Sequence, residues 1–198
     1  MTVAFLGRAD SGVLAHLRAV GEDVLAIGPD DELPPAALAA DRIVSHGYRR
    51  ILRPATLAAA PDRFVNLHIA LLPFNRGADP TLWSVLEDTP SGVTIHHIDP
   101  GVDTGDVIAQ REVPLAADDT LATAYDRLQA AMLDLFAATW PLIAAGTAPR
   151  TPQPPGGTAH RIADRAAVEH LLTEGWDTPV AALRGRWRSA AGGAPMGV

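Results

Sequence analysis

Two polar side chains stand close together in the segment NLHIALLPFNRGADP, residues 66–80. The apolar run at 63–68 predicts a strand, in which alternate side chains share a face. Asn66 and His68 then lie together at the carboxyl end of that strand, where open α/β sheets bind ligands. An imidazole can move a proton near neutral pH, and an amide can donate a hydrogen bond to a developing oxyanion. The pair therefore suits acyl transfer, although the spacing alone also fits a hydrogen-bonded structural pair.

A glycine-interrupted acidic loop, HHIDPGVDTGD, follows at 96–106. Gly101 and Gly105 flank Asp103 and permit tight turns that bring the loop close to a ligand. A carboxylate near His68 would favour the imidazolium form and fix the orientation of the ring. The same residues also fit a solvated acidic turn.

Strand and helix patterns alternate along much of the chain. Short apolar runs predict strands at 2–7, 23–28, 42–47, 63–68, 92–99 and 106–113. Helical spacing predicts helices at 11–20, 80–88 and 118–146, and two short helical segments near 163–173 and 178–188. This alternation favours an α/β fold with a mainly parallel, twisted sheet flanked by helices.

The division of the chain follows from a change in composition near residue 146. We expect a catalytic domain at 1–146, followed by a Pro/Gly-rich loop and a short helical C-terminal extension at 147–188. Residues 189–198 are rich in glycine and alanine, and we expect a disordered tail there.

Composition excludes several reaction types. The chain of 198 residues has no cysteine, and its 16 lysine-or-arginine residues are all arginine. Without lysine there is no Schiff base or P-loop lysine, and without cysteine no thiol nucleophile or cysteine-ligated zinc. The formal charge of −7 argues against broad contact with nucleic acid or an acidic membrane, because both require a basic face.

The N-terminal residues MTVAFLGRADSG lack the basic region and long apolar run of a signal peptide. No apolar stretch in the sequence reaches the roughly 20 residues that a membrane-spanning helix needs. We therefore expect a soluble cytoplasmic protein.

Residues 66–110 carry a resemblance to a known family. The segments NLHIALLP, RG and GVTIHHIDPGVDTGDVIAQ resemble the motifs of formyltransferases that use 10-formyltetrahydrofolate, such as glycinamide ribonucleotide, methionyl-tRNA and aminosugar N-formyltransferases. The family motif is Asn-x-His-x-Ser-x-Leu-Pro, followed later by Gly-Val-Thr and an Asp-x-Gly turn. The preceding order of strands and helices also fits, so the resemblance extends to about residue 145 and implies a Rossmann-like formyltransferase fold.

The resemblance implies a catalytic triad of Asn66, His68 and Asp103. Asn66 would stabilise the oxyanion of the tetrahedral intermediate, and His68 would act as general base towards the acceptor amine or protonate the intermediate. Asp103 would orient the ring of His68 and favour its protonated form. The formyl donor would be 10-formyltetrahydrofolate, with no metal.

The resemblance also implies binding residues. SHGYRRIL at 45–52 resembles the family's folate-contacting segment, and the turn around Val102 would close over the same ring. The implied cofactor-binding residues are Arg50, Ile51, Leu52, Asp99, Gly101 and Val102. A weaker expectation places four residues near the acceptor: Arg76, Gly77, Trp83 and His96.

Departures from the family pattern restrict the acceptor. The usual motif serine is Ala70, which removes one hydrogen bond. FLGRADSG lacks the glycine-rich phosphate loop of the glycinamide ribonucleotide enzymes, and the residues after 146 leave no room for the β-barrel domain of methionyl-tRNA formyltransferases. We therefore expect a small-molecule amine, such as an aminosugar nucleotide, a hydroxylamine or a specialised-metabolite intermediate, and no nucleic acid or membrane partner.

Residues 163–188 are a candidate homodimer interface.

Other functions remain open from the residues. The first alternative is a hydrolase, in which water replaces the amine as acceptor of the formyl group. The second is a non-catalytic module that binds folate or a partner. A zinc hydrolase built on the histidines is a third, but no HExxH spacing appears.

Overall fold

The computed structural model describes residues 1–190. Eight strands are present in this range: β1 Thr2–Gly7, β2 Asp23–Ile27, β3 Arg42–His46, β4 Phe64–His68, β5 Arg76–Gly77, β6 Gly92–His97, β7 Val107–Glu112 and β8 Ala159–His160. The α-helices are α1 Gly12–Ala19, α2 Pro54–Ala59, α3 Pro80–Leu86, α4 Leu121–Ala145 and α5 Val180–Ala190. Short 3-10 helices occupy Pro35–Ala39, Ile162–Ala167, Glu169–Leu171 and Gly175–Asp177.

The predicted strands and long helices are confirmed, with ends that agree to within three residues. The segment near 163–173 is a pair of 3-10 helices rather than one regular helix. The pairing of β5 with β8 was not predicted, because strands of two residues carry no periodicity. The tail prediction for 189–198 falls almost entirely outside the described residues, and 189–190 belong to α5.

The chain forms two compact units. The first comprises 1–68, 94–110 and 132–153, and the second comprises 69–93, 111–131 and, among the described residues, 154–190. The first unit carries a six-stranded sheet of order β2-β1-β3-β4-β6-β7, apart from the ends of β6 and β7. The pairs β1–β2, β1–β3 and β3–β4 are parallel, and β4–β6 is antiparallel. The predicted α/β fold with a mainly parallel sheet is therefore confirmed.

The core of the first unit forms around the central strands, which are buried on both faces as parallel strands usually are. Residues 3–6 of β1 are completely buried. One apolar cluster in this unit consists of Ala4, Leu6, Ile27, Ala37, Ala40, Ile43, Ala60 and Phe64. This packing holds β3 and β4 rigidly in register.

The second unit has its own apolar cluster, in which α3 and α5 pack together with the start of α4 and the 3-10 helices. Its buried members are Leu82, Trp83, Val85, Leu86, Leu121, Val168, Leu171, Leu172, Val180 and Leu183. Residues beyond 154 therefore contribute core side chains and are more than a surface extension.

Helix α4 is 25 residues long, and its most apolar window has a mean hydropathy of 1.4. By length and composition it could cross a membrane, contrary to the expectation that no segment reaches this limit. Its buried residues recur every three or four positions, at Leu121, Ala124, Leu128, Met132, Leu135, Phe136, Trp140 and Ile143. This is the pattern of a core helix with one face against the protein.

Candidate active site

The candidate site begins on β4 in the first unit. Asn66 and His68 are two residues apart and so share one face of the strand. The antiparallel register pairs Asn66 with His96 of β6 and His68 with Thr94. Residues directly opposite each other in a sheet project to the same side, so His96 joins the predicted pair.

The loop between β6 and β7 brings Asp103 to these side chains. Asp103 Oδ1 accepts a hydrogen bond of 3.1 Å from Asn66 Nδ2. Asp103 Oδ2 lies 3.6 Å from His68 Nδ1, and Oδ1 lies 3.4 Å from His96 Nε2. The separation from His68 allows an ion pair but is longer than a hydrogen bond. The structure therefore brings together Asn66, His68 and Asp103, the three residues of the predicted triad.

The hydrogen bonds of His96 indicate which of its nitrogens carries the proton. His96 Nδ1 lies 2.8 Å from the carbonyl oxygen of His97, so Nδ1 must be the donor. In the neutral ring Nε2 is then an acceptor, and Asn66 Nδ2 lies 3.2 Å from it. Asn66 thus donates one amide hydrogen to His96 and the other to Asp103. These two bonds fix the orientation of the amide between two acceptors.

The site is largely shielded from solvent. The side chains of His68, Asp103 and His96 are 9%, 13% and 2% exposed, respectively. Electrostatic interactions and hydrogen bonds are stronger at such sites than in water. The carboxylate of Asp103 can therefore stabilise a positive charge on the ring of His68 or of His96.

Two features hold Asp103 in place. Asp103 itself has φ +52°, a left-handed conformation that aspartate tolerates better than most residues. A Cβ at Gly105 would lie 1.9 Å from the carbonyl oxygen of His97, so this close approach of backbone requires glycine. The predicted need for a tight turn is confirmed at Gly105.

Gln153 is a site residue that the sequence did not indicate. Its Nε2 donates to the carbonyl oxygens of Asp103 at 2.8 Å and of Gly105 at 2.9 Å. The segment that carries it is fixed by a bridge between Thr151 and Val107. A single glutamine in a Pro/Gly-rich stretch gives no signal for this role.

The turn that precedes Asp103 contains three predicted folate-binding residues. Asp99 Oδ1 accepts hydrogen bonds from Gly101 N at 3.1 Å and from Thr104 Oγ1 at 2.6 Å. Asp99 therefore stabilises the turn itself. The side chain of Val102 is 54% exposed, which leaves apolar surface at the tip of the turn.

The other predicted folate segment is also in the first unit. Arg50, Ile51 and Leu52 lie in an irregular stretch that lines a cavity of about 540 Å³. Arg50 pairs with Glu32 at 2.9 Å, while Ile51 is 76% exposed. The other lining residues are Glu32, Leu33, Tyr48, Arg53 and Thr56, so the cavity wall offers both apolar and polar groups. That the two segments close over the same ring is still a prediction.

The weaker acceptor residues fall in the second unit, except for His96. Arg76 and Gly77 form β5, where Arg76 N donates to Thr158 O at 3.0 Å. Gly77 has φ +86°, and a Cβ there would lie 2.2 Å from the carbonyl oxygen of His160. These two residues therefore support the pairing of β5 with β8.

Trp83 is a core residue of the second unit and is only 5% exposed. Its ring stacks on His160 with centroids 3.8 Å apart and planes 6° apart. His160 Nε2 lies 3.0 Å from Glu87 Oε1. The observed contacts give Trp83 and His160 a structural role in joining the loop after residue 154 to α3.

His97 faces away from the cluster, because successive residues of β6 alternate between faces. Burial lowers the pKa of His97, and the charge of Arg150 lowers it further. Within residues 1–190 its Nδ1 has no hydrogen-bond partner. In the same range no group of three or more histidine and carboxylate side chains is placed to hold a metal ion.

The fold and this cluster define a member of the formyltransferase class, and comparison with known proteins agrees. The family model described as formyl transferase matches residues 32–139, more than half of the chain. The chain belongs to this family.

Curated relatives include methionyl-tRNA formyltransferases. Those of Halorhodospira halophila and Anaeromyxobacter dehalogenans are each 37% identical, over 68% and 77% of this chain. The matched regions span 44% and 48% of the two relatives, so the chain corresponds to less than half of their length.

A solved structure matches over nearly the whole chain. The formyltransferase PseJ from Anoxybacillus kamchatkensis, in complex with UDP-4,6-dideoxy-4-formamido-L-AltNAc and tetrahydrofolate, is 44% identical with a TM-score of 0.88. The match covers 94% of this chain and all of PseJ. Phosphoribosylglycinamide formyltransferase from Bacillus halodurans is 25% identical with a TM-score of 0.60, over 73% of this chain and 94% of its own.

Proposed function

We propose that the protein transfers a formyl group from 10-formyltetrahydrofolate to the amine of a small molecule, and that this acceptor is an aminosugar nucleotide. The cluster of Asn66, His68 and Asp103 in the first unit carries the proposal. The likeness to PseJ, whose structure holds a formamido sugar nucleotide and tetrahydrofolate, supports the choice of acceptor and donor. The higher identity to PseJ, 44% against 37% for the methionyl-tRNA formyltransferase of Halorhodospira halophila, also supports a sugar-nucleotide acceptor.

In this mechanism the amine attacks the formyl carbon and a tetrahedral intermediate forms. His68 takes the proton that the amine loses, since an imidazole accepts protons near neutral pH. Asp103 stabilises the imidazolium across the present 3.6 Å separation, which has to shorten for a direct hydrogen bond. When the intermediate collapses, the bond between the formyl carbon and the folate nitrogen breaks, and His68 passes the proton it took from the amine to that nitrogen.

Asn66 donates to the oxyanion of the intermediate, which requires one of its two amide hydrogens. Both hydrogens are occupied in the present structure, by His96 and Asp103. One of these two hydrogen bonds has to break before Asn66 can donate to the oxyanion. His96 therefore takes part in the proposal as a partner of Asn66, and its contact with the acceptor stays a prediction.

Arg50, Ile51 and Leu52, together with Asp99, Gly101 and Val102, are proposed to bind the pterin ring. The exposure of the apolar side chains of Ile51 and Val102 supports this, because each is available to pack against a ligand. We also propose a cytoplasmic protein without a metal cofactor. The 1–146 catalytic domain and the homodimer through 163–188 stay predictions.

The test measures product formation from 10-formyltetrahydrofolate and UDP-4-amino-4,6-dideoxy-L-AltNAc, the amine counterpart of the compound bound to PseJ. His68→Gln and Asp103→Asn should each lower kcat by about 10²–10⁴-fold. The exposed His170→Gln and Asp118→Asn serve as matched controls and should retain wild-type rates. Folate consumption at the same rate without the amine would favour the hydrolase, and full activity of His68→Gln would contradict the assigned roles.

A further inference from the structure

The first unit contains a cavity on the face of the sheet opposite the catalytic cluster. Val65 of β4 and His97 of β6 are paired and both line it, whereas their neighbours Asn66 and His96 project to the other side. Its volume is about 240 Å³, roughly eight times the share of liquid volume that one water molecule occupies. The cavity can therefore hold a small ligand. The lining residues that can carry a charge are Arg42, Asp62, His97 and Arg150.

His97 brings an unpaired ring nitrogen to this cavity. The residue is only 9% exposed, and its Nδ1 has no hydrogen-bond partner within residues 1–190. Nε2 lies 3.3 Å from the carbonyl oxygen of Pro149, so Nε2 carries a hydrogen. Nδ1 is then an acceptor in the neutral ring and becomes a donor when the ring takes up a proton. Buried polar groups are almost always paired, so this nitrogen indicates a partner from outside the described chain.

Arg42 supplies hydrogen-bond donors at the same cavity. Its three nitrogens donate to the carbonyl oxygens of Asp41, Ile143 and Ala144. A guanidinium group has five N–H donors, so two of them make no hydrogen bond within residues 1–190. In this range Arg42 also forms no ion pair with a carboxylate. Its positive charge and its remaining donors are therefore available to a ligand.

Arg150 adds a second guanidinium group from the segment that follows α4. It forms an ion pair with Asp62, and its Nη1 lies 3.9 Å from Asp106 Oδ2. Asp62 is the only carboxylate that lines the cavity among the described residues, and its side chain is 80% exposed. Two arginines thus face one carboxylate, which leaves an excess of positive charge at the cavity even before His97 is protonated.

We propose that this cavity binds a small oxyanion, either a carboxylate or a phosphate group, together with one proton. Arg42 and Arg150 donate to its oxygens, because guanidinium groups match the geometry of both kinds of anion. His97 Nδ1 takes up the proton and donates the third hydrogen bond. A cationic ligand is disfavoured, because the two arginines repel it. The site is independent of the proposed function, since it uses none of the proposed catalytic or folate-binding residues.

The affinity should depend on pH through His97. Burial is the main cause of the lowered pKa of His97 in the free protein, and the charge of Arg150 lowers it further. A bound anion favours the imidazolium, so binding takes up a proton and weakens as pH rises. Above the lowered pKa the dissociation constant should rise about tenfold per pH unit, until the pKa of the complex is reached. The charged groups that act on His97 are Arg42, Asp62, Asp106 and Arg150, beside the carbonyl group of Pro149.

The test is an NMR titration of the ¹⁵N-labelled full chain with sodium acetate at pH 6.5 and pH 7.5. Sodium chloride keeps the ionic strength constant, and acetate stays ionised at both values because carboxyl groups titrate at about pH 4. Inorganic phosphate is titrated at pH 6.5. The site variants are His97→Gln and Arg150→Gln, and the matched controls are the exposed residues in His170→Gln and Arg18→Gln. Circular dichroism checks that all four variants fold.

The wild type should bind acetate about tenfold more tightly at pH 6.5 than at pH 7.5, and the ring nitrogens of His97 should shift to the protonated form on binding. Arg150→Gln should weaken binding about tenfold or more, because it removes charge-assisted hydrogen bonds. His97→Gln should bind without this pH dependence, because an amide donates without taking up a proton. Both controls should behave as the wild type does.

Three outcomes would overturn the proposal. The first is no binding of either anion by the wild type, which would assign the cavity to water. The others are a pH dependence that persists in His97→Gln and wild-type affinity in Arg150→Gln. The two probes also distinguish the source of the ligand, since either preference supports the oxyanion site. Tighter binding of phosphate indicates free phosphate or a phosphorylated compound, and tighter binding of acetate indicates a carboxylic acid.

Discussion

Replacing Gln153 by leucine removes the side chain that clamps the loop carrying Asp103. Gln153 Nε2 donates to the carbonyl oxygens of Asp103 and Gly105 at 2.8 and 2.9 Å. Leucine has a similar size but no donor. Each hydrogen bond contributes about 0.5–1.5 kcal/mol net, so the loop loses about 1–3 kcal/mol of restraint.

The loss should appear mainly in kcat. If all of it acts on the position of Asp103 relative to His68, kcat falls by roughly 5-fold to 150-fold, because 1.36 kcal/mol corresponds to a factor of ten. Gln153 touches the loop through backbone carbonyls, so KM for the acceptor should change much less. Steady-state kinetics of formyl transfer at saturating folate measure both constants.

Gln129→Leu provides the matched control, since Gln129 lies on α4 and its side chain makes no hydrogen bond with residues 1–190. It should leave kcat unchanged. A thermal melt identifies any variant that is simply unfolded. A folded Gln153→Leu protein with wild-type kcat would show that the clamp does not position Asp103, and the reasoning above would be refuted.

Three further substitutions test the packing around the site and the second unit. Burial lowers the pKa of His97 below its usual 6.5, so as pH falls the unfolded chain protonates this histidine before the folded protein does. The free energy of unfolding should therefore fall by up to about 1.4 kcal/mol per pH unit below pH 6.5. His97→Gln should make this fall smaller, as measured by urea unfolding. Burial acts to raise the pKa of Asp119, but hydrogen bonds, chiefly from Arg127, hold it below its usual value. Asp119→Asn should therefore lower the free energy of unfolding by about 2–3 kcal/mol at neutral pH. The difference from wild type should disappear as pH falls through the lowered pKa. Gly105→Ala should lower kcat more than tenfold, since the new Cβ forces the backbone at Asp103 to move.

Matched controls are available for Gly105→Ala and Asp119→Asn. Gly185→Ala introduces a Cβ into open space on α5 and should leave kcat unchanged. Asp118→Asn removes an exposed carboxylate and should leave stability within about 0.5 kcal/mol of wild type. An identical acid-induced loss of stability in wild type and His97→Gln, or wild-type kcat in Gly105→Ala, would contradict the corresponding prediction.

Local sequence patterns predicted much of the fold. The six strands of the large sheet have apolar runs of ordinary strand length, and α4 has a clear helical repeat, because each buries one face or both. The regions from 154 onward were predicted less well. Their 3-10 helices and the two-residue strand β8 are set by contacts with α3 and β5, and so have little periodicity of their own.

The candidate site divides in the same way. Asn66 and His68 were predicted to share a face because strand alternation is a local property, and the glycines around Asp103 indicated a tight turn. The contact of His96 with the acceptor stays a prediction, and the structure adds that the His96 ring contacts Asn66 and Asp103. Gln153 was not indicated, since its partners are backbone atoms of a loop about fifty residues earlier in the chain.

The sequence by itself determined the family, the order of the main strands and the side of β4 on which Asn66 and His68 lie. These follow from local periodicity and from motifs that are contiguous in the chain. Only the tertiary structure decided that His96 stands opposite Asn66, that Gln153 holds the loop of Asp103, and that β5 pairs with β8. Strand register and contacts between distant loops depend on which backbone groups find partners across the whole fold, and no local pattern encodes that choice.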